Sequence, residues 1–295
     1  MNGFINIDKS SDMTSFDVIR ELRRKLQVKK MGHLGTLDPL ATGVLPIAVG
    51  NTTRLISFIE ADNKCYRSRG RLGKISATQD VTGELTIIKR NPVVDREKLI
   101  LQLQQMTGKV MQKPPMYSAV HHNGQRLYEL ARQGVTVDVP TRMINIYRME
   151  LLGSGNDEEG PWVDLEIECS RGTYIRTIWH DLGQALGCGA YMEQLQRTQV
   201  GPFHIEQAIS LEKVSSDCLL PPDYPFADWQ DMVVEGLAQN RISNGNTIAV
   251  PSNLGPGKAV IKDQQGELIA LGEITAIDNE MVLRPWRVIP QASKG

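Results

Sequence analysis

The chain has 295 residues, a net charge of −1, and 41% apolar and 23% charged residues, the proportions of a globular protein with room for one large domain or two ordinary ones. No apolar run approaches the ~20 residues of a membrane-spanning helix. The opening MNGFINIDKS lacks the basic and apolar halves of a leader peptide, and Cys65, Cys169, Cys188 and Cys218 stand without Cys-x-x-Cys spacing, so no membrane span, secretory signal, zinc site or disulfide scaffold is expected, and the expected compartment is the cytoplasm.

In chain order, GFINI (3–7) reads as a strand. Thr14 opens a helix, with Asp17 three residues on as a capping box, and Val18, Ile19, Leu22 and Leu26 form its apolar stripe. GVLPIAVG and KCYRSRGRLG read as strands on either side of a glycine-rich loop; in the second, Arg67, Arg69 and Arg71 alternate with Tyr66, Ser68 and Gly70, predicting a row of guanidinium groups on one face. Residues 95–107 predict an amphipathic helix through Leu99, Leu103 and Met106. QKPPMYSAV reads as a loop or edge, and QRLYELARQG as a short helix closed by Gly134. WVDLEIECS alternates as a half-buried strand, and RGTYIRTIWHDLGQALG turns through Gly172 into a helix. Strands and helices mix without regular βαβ alternation, which predicts an α+β fold with a mostly antiparallel mixed sheet flanked by helices. A loop-rich stretch at 215–229 predicts a boundary, giving domains 1–220 and 221–295. In the second, short strand-like runs (TIAV, KAVIKD, ELIALGEI, EMVLRPW) suggest a small β-barrel-like unit.

Charge is unevenly distributed. Residues 204–295 carry seven Lys and Arg against twelve Asp and Glu, while the rest carries 26 against 22. Two clusters, one from Arg20 to Lys30 and one from Lys64 to Lys74, could face an RNA backbone despite the total, or could be solvated faces. Between them lies GHLGTLDPLATG. Alone, Asp38 before Pro39 among glycines reads first as a turn. As a chemical group, a sheltered carboxylate would need a cation to stay ionised, and SRGTYIRT offers Arg171 and Arg176. Tyr174, beside a glycine turn, and Tyr66, among arginines, are candidates for stacking an unpaired base or for plain core packing. The adjacent His121 and His122 have no further ligand at metal-binding spacing, and no metal is expected.

Together these blocks are specific. GFINIDK near the start, MGHLGTLDPLATGVLPIAVGNTTRL, KCYRSRGRLG, KPPMYSAV, CSRGTYIRTIWHDLGQALGCGA and LQRTQVGPF resemble, in order, the TruB family of bacterial tRNA pseudouridine synthases. The resemblance covers about residues 3–205; the last 70 or so are more weakly similar to the family's small PUA-type RNA-binding domain. It implies the pseudouridine synthase fold and an isomerase that flips the T-loop uridine (uridine-55) of tRNA and rejoins it through carbon. It implies no cofactor, the T-stem and T-loop of tRNA as partner, no obligatory protein partner and a monomer. By position, Asp38 falls on the catalytic aspartate, Arg176 on its arginine, and Tyr66 on the tyrosine that contacts uracil and is implicated in proton abstraction. Tyr174 and Leu195 fall on residues packing around the flipped base, His33 on the histidine that props the RNA loop, and Lys64 and Lys9 on basic positions near the site.

The chain departs from the family pattern at Ser10–Asp12, where Lys-Pro-x-Gly is usual, at Leu34, where a small residue is usual, and at His121, where lysine is usual. A tRNA-binding folding chaperone with little or no chemistry is the alternative to the enzyme, and a hydrolase of a small ligand is a third reading that the basic clusters argue against.

Overall fold

A computed structural model describes residues 1–59, 63–118, 120–122, 124–135 and 137–290. Among these, ten strands make one mixed sheet: β1 (Gly3–Lys9), β2 (Met31–His33), β3 (Thr42–Val49), β4 (Lys64–Leu72), β5 (Gly108–Gln112), β6 (Arg142–Asp157), β7 (Gly160–Cys169), β8 (Ala190–Val200), β9 (Phe203–His204) and β10 (Ile209–Ser210). The path runs β10-β1-β3-β8-β4-β7-β6-β5, with β2 on β3 and β9 on β8. Only β1–β10 and β3–β8 pair in parallel, so the sheet is mostly antiparallel, as the alternating strands predict.

Helices α1 (Ser15–Leu26), α2 (Arg96–Gln105) and α4 (Ile175–Ala185) bury their stripes in a core built with one face of this sheet; the short α3 (Leu127–Arg132) lies outside it. The start of α1 is fixed locally: Thr14 accepts from the Asp17 amide and Asp17 from the Thr14 amide, a complete capping box. Against β4, the Trp179 indole donates to Ser68 Oγ at 2.8 Å and lies so close to Gly70 that an added Cβ would fall 2.2 Å from the ring. Glycine at 70 is thus a packing requirement, not a flexible point.

Strands β1 and β3 are buried on both faces. Ile5, Ile7, Leu45 and Ile47 belong to the helix-side core, while Phe4, Val44 and Ala48 join Leu34, Leu55 and Phe203 in a second core. That second core is shared with a separate five-stranded sheet made of β11 (Gln230–Val233), β12 (Ile248–Ala249), β13 (Gly257–Lys262), β14 (Leu268–Ile277) and β15 (Glu280–Val288), in the open order β11-β13-β14-β15-β12. Val260, Leu268, Leu271 and Ile289 supply its side of the contact. Helix α5 (Gly236–Ser243) packs on the sheet's own core through Ile242. Neither β11 nor α5 is marked in the sequence: four residues of QDMV carry little alternation, and α5 has no side-chain cap. Leu34 has a clear use, since it fills space between the two sheets where a small residue would leave a gap.

The arginines of β4 stand on one face of the strand as the alternation predicts, but each meets a carboxylate. The register of β4 against β7 places Arg67 opposite Glu166 and Arg69 opposite Asp164; Arg67 pairs at 3.2 Å and Arg69 at 2.7 Å. Arg71 is enclosed by Glu193 and Asp157. On α1, Arg20 pairs with Asp17 and Arg24 with Glu21. Such pairs compete with a phosphate for each cation.

The unusual turn after β1 is kept in shape by its backbone. Asp12 adopts φ 63°, the left-handed region, and its amide donates to Pro39 O at 2.9 Å. Aspartate tolerates this conformation at some cost and glycine does so freely. Asp12→Gly is therefore expected to stabilise the protein by about 0.5–1 kcal/mol, a rise of about 1–3 °C in thermal midpoint. A fall would mean that Asp12 makes contacts worth more than the strain.

Candidate active site

The loop between β2 and β3 and the start of α4 converge on a cleft of ≈ 260 Å3 whose lining includes Asp38, Lys64, Tyr66, Tyr174, Arg176 and Leu195. Six residues spread over more than 150 positions of sequence thus meet around one cavity. At its floor, Arg176 Nε lies 2.9 Å from Asp38 Oδ2 and Nη2 lies 3.4 Å from Oδ1. Of the two arginines offered by SRGTYIRT, Arg176 is the one paired with Asp38. Its guanidinium also lies 3.4 Å from Asp80 Oδ2 and donates to Thr78 O at 3.3 Å and Tyr117 O at 3.0 Å. The arginine is held rigidly, with a 6% exposed side chain, while Asp38 keeps 35% of its side chain open to the cleft. Burial pushes the Asp38 carboxyl above its ordinary range; Arg176 opposes this most, and Asp80 adds to it.

Tyr66 stands on β4 with its ring 7% exposed. Burial pushes its phenol up to about 12, so the hydroxyl is protonated at neutral pH. The positive charge of the Arg197 guanidinium nearby opposes that shift. That guanidinium is completely buried and donates to Val44 O at 2.8 Å, Gly35 O at 3.1 Å and Thr36 O at 3.4 Å. Arg197 thereby ties β8 to the backbone just before Asp38. Tyr174 is the N-cap residue of α4, and Arg142 lies over its ring at 4.8 Å from the centroid. Leu195 closes the cleft as a buried apolar wall.

His33 is not in this cleft. It lines a neighbouring groove of ≈ 730 Å3 that reaches Asp38 and Arg176 from the α1 side, together with Phe16, Tyr117 and Tyr128. Burial, then Arg197, lower its affinity for a proton. Lys9 departs from the expectation of a substrate contact. Its ammonium is buried and donates to Ser10 O, Met13 O and Pro39 O at 2.8, 2.8 and 3.1 Å, filling all three of its N–H positions. It braces the residue after Asp38 instead of facing the cleft, and burial lowers its pKa to about 8. Among the described residues no group of His, Cys, Asp or Glu is arranged to hold a metal ion, and no helix is long and apolar enough to cross a membrane.

Asp80, Arg142 and Arg197 were not among the residues picked out in the sequence. Arg197 lies inside a block with family character and Asp80 a few residues beyond another, but nothing in their spacing announces that one holds the backbone before Asp38 and the other meets Arg176. Arg142, at the start of β6, has no local signal at all.

Removing the Tyr66 hydroxyl isolates its role, because phenylalanine keeps the ring in place. Tyr66→Phe is expected to slow product formation by about 100- to 10,000-fold with unchanged RNA affinity and thermal midpoint. Full activity in single-turnover assays would reduce Tyr66 to a packing residue.

Known proteins match this architecture from end to end. The model of the TruB family pseudouridylate synthase N-terminal domain matches residues 23–175, and that of the tRNA pseudouridylate synthase B C-terminal domain matches residues 176–227. The chain is 44% identical to tRNA pseudouridine synthase B of Syntrophomonas wolfei, across 98% of each chain. It is 39% identical to the protein of the same name from Moorella thermoacetica, across 97% of this chain and 99% of the relative. A chain of the crystallised Cbf5-Nop10-Gar1 complex superposes with a TM-score of 0.70 at 25% identity, covering 98% of this chain and 85% of the other, so the likeness extends through the second sheet and gives the pseudouridine synthase fold with a PUA-like C-terminal unit. On the strength of both family matches and near-full-length identity, the chain belongs to the TruB family of pseudouridylate synthases.

Proposed function

We propose that this protein converts the T-loop uridine at position 55 of tRNA to pseudouridine, with Asp38 as the attacking group. The supporting observation is the Asp38–Arg176 pair at the floor of a cleft walled by two tyrosines. In the isomerisation the bond from the ribose C1′ to uracil N1 breaks and one from C1′ to C5 forms. C5 loses a proton and N1 gains one, so nothing is consumed and no cofactor is called for. The chain's task is to extract the base, hold it and move a proton.

Chemistry on a base requires it out of the stack, at a cost of a few kcal/mol that aromatic and phosphate contacts offset. Tyr66, Tyr174 and Leu195 supply flat and apolar surface for the uracil. Asp38, paired with Arg176 and partly open to the cleft, meets the base or its sugar. Tyr66 is the proton-transfer candidate, its hydroxyl near the buried charge of Arg197. His33, in the adjoining groove, would prop the displaced loop, and Lys64 would face phosphate. Lys9 supports the site through Pro39. We assign residues 1–220 to the catalytic unit and 221–295 to RNA binding, in a cytoplasmic monomer with no obligatory protein partner. The four free cysteines fit a reducing compartment.

A folding chaperone would have no use for a carboxylate presented where an RNA phosphate must approach, so Asp38 favours chemistry. The test is pseudouridine formation in an unmodified T-arm stem-loop, set against one whose uridine is moved by one position. Product at the T-loop uridine alone supports the reading. RNA binding without product would leave only the chaperone.

A further inference from the structure

We propose that Arg142 is a substrate-binding residue that holds a phosphate flanking the base in the cleft. The inference rests on the reading that the substrate is RNA. It starts from the charge at and beneath the cleft floor, where Asp38 and the buried Asp80, which opens to the neighbouring groove, share the single guanidinium of Arg176. A phosphodiester drawn in with its base meets a negative floor, and Arg176 is already committed to both carboxylates and two carbonyls. Attraction has to come from the walls.

Arg142 lines that wall and is oriented before any substrate arrives. One of its terminal nitrogens donates to Gly172 O, and its face lies on the Tyr174 ring. The turn is shaped to admit it: Gly172 has φ 83°, and a Cβ there would sit 3.3 Å from the guanidinium carbon. Yet the Arg142 Nε–H is shielded from water and has no acceptor among the described residues. A buried donor without an acceptor is costly, and such groups in native proteins call for an explanation. The Nε–H itself is out of reach, but the side chain lines the cleft with one terminal nitrogen committed to Gly172 O, and a phosphate arriving with the nucleotide can accept from its remaining terminal N–H groups in the fixed plane.

The test is a double-mutant cycle on a T-arm stem-loop. Wild-type protein and Arg142→Met are each assayed on RNA carrying a neutral methylphosphonate at the phosphate 5′ or 3′ to the target uridine. Wild-type product on the unaltered stem-loop comes first, and its absence would count against the proposed function itself. We expect Arg142→Met to raise KM about 10- to 100-fold with kcat within about threefold. We also expect one of the two methylphosphonates to cost wild type a similar factor and the variant almost nothing. Independent, additive losses at both phosphates would overturn the proposal. So would a fall in kcat at constant KM, which would make Arg142 a prop for the Gly172 turn. Should Arg142→Met fail to fold, Arg142→Gln, which retains a donor for Gly172 O, carries the same cycle.

Discussion

Asp38→Asn is expected to lower single-turnover pseudouridine formation by at least about 10,000-fold, the scale on which loss of an attacking group registers, while filter binding of the T-arm stem-loop stays at wild-type strength or tightens. The separation follows from the site. Asn has nearly the shape of Asp and can still accept from Arg176, which also keeps Asp80 as a partner, so the cleft holds its form. The lost negative charge lay where a phosphodiester must approach, so binding has no reason to suffer. Residual turnover within about 100-fold of wild type would remove Asp38 from the chemistry.

Arg176→Met should damage both rate and stability, and its pH dependence identifies why. The guanidinium is the leading influence holding the Asp38 pKa down against burial. Without it, that pKa rises further and the ionised fraction is lost at higher pH. The acid limb of the rate profile should therefore move upward. Stability follows the same sign. A carboxyl whose folded-state pKa lies above its unfolded value favours the native state most below its ordinary titration range, and that contribution is lost as pH rises. With Arg176 gone, Asp38 loses its main counter-charge, so the penalty is largest at neutral pH and shrinks on acidification as Asp38 takes up a proton. We expect about 2–4 kcal/mol at pH 7, somewhat below the cost of breaking a fully enclosed ion pair because Asp38 retains an open side. Thermal midpoints measured between pH 5 and 8 check this. A pH-independent loss with an unshifted rate profile would make Arg176 a packing residue only.

What the sequence made legible was what is local or periodic. Thr14 with Asp17, the alternation through Val163 to Cys169, and the glycine closing α3 each depend on residues within a few positions. The strands and helices they predict are present. The meeting of Asp38 with Arg176 came from resemblance, since 138 residues separate them. Lys9 was misread because charge is visible in a sequence and burial is not: its three carbonyl partners include Pro39, thirty residues away. The carboxylate partners of the β4 arginines were hidden for a related reason. Alternation showed them on one face, but which residues stand opposite is a matter of register, and register was set by strands far along the chain. Asp80, Arg142 and Arg197 are cases of convergence alone: Arg142, at the start of β6, lines the cleft, while Asp80 and Arg197 brace Arg176 and the loop before Asp38 from buried positions.

The core shared by the two sheets has a bearing on how the chain comes off the ribosome. Phe4, Val44, Ala48 and Leu55 belong to the first fifth of the protein, whereas the side chains that cover them include Leu271 and Ile289, near its end. At a synthesis rate of 5–20 residues per second, that apolar face waits roughly 10–50 s for its cover. During this interval β1 also lacks β10, and the parallel partner of β3 has yet to be made. The nascent chain thus exposes a strand edge and an apolar surface together, so its early life is a period of exposure to chaperones and proteases that ends only when the last strand arrives.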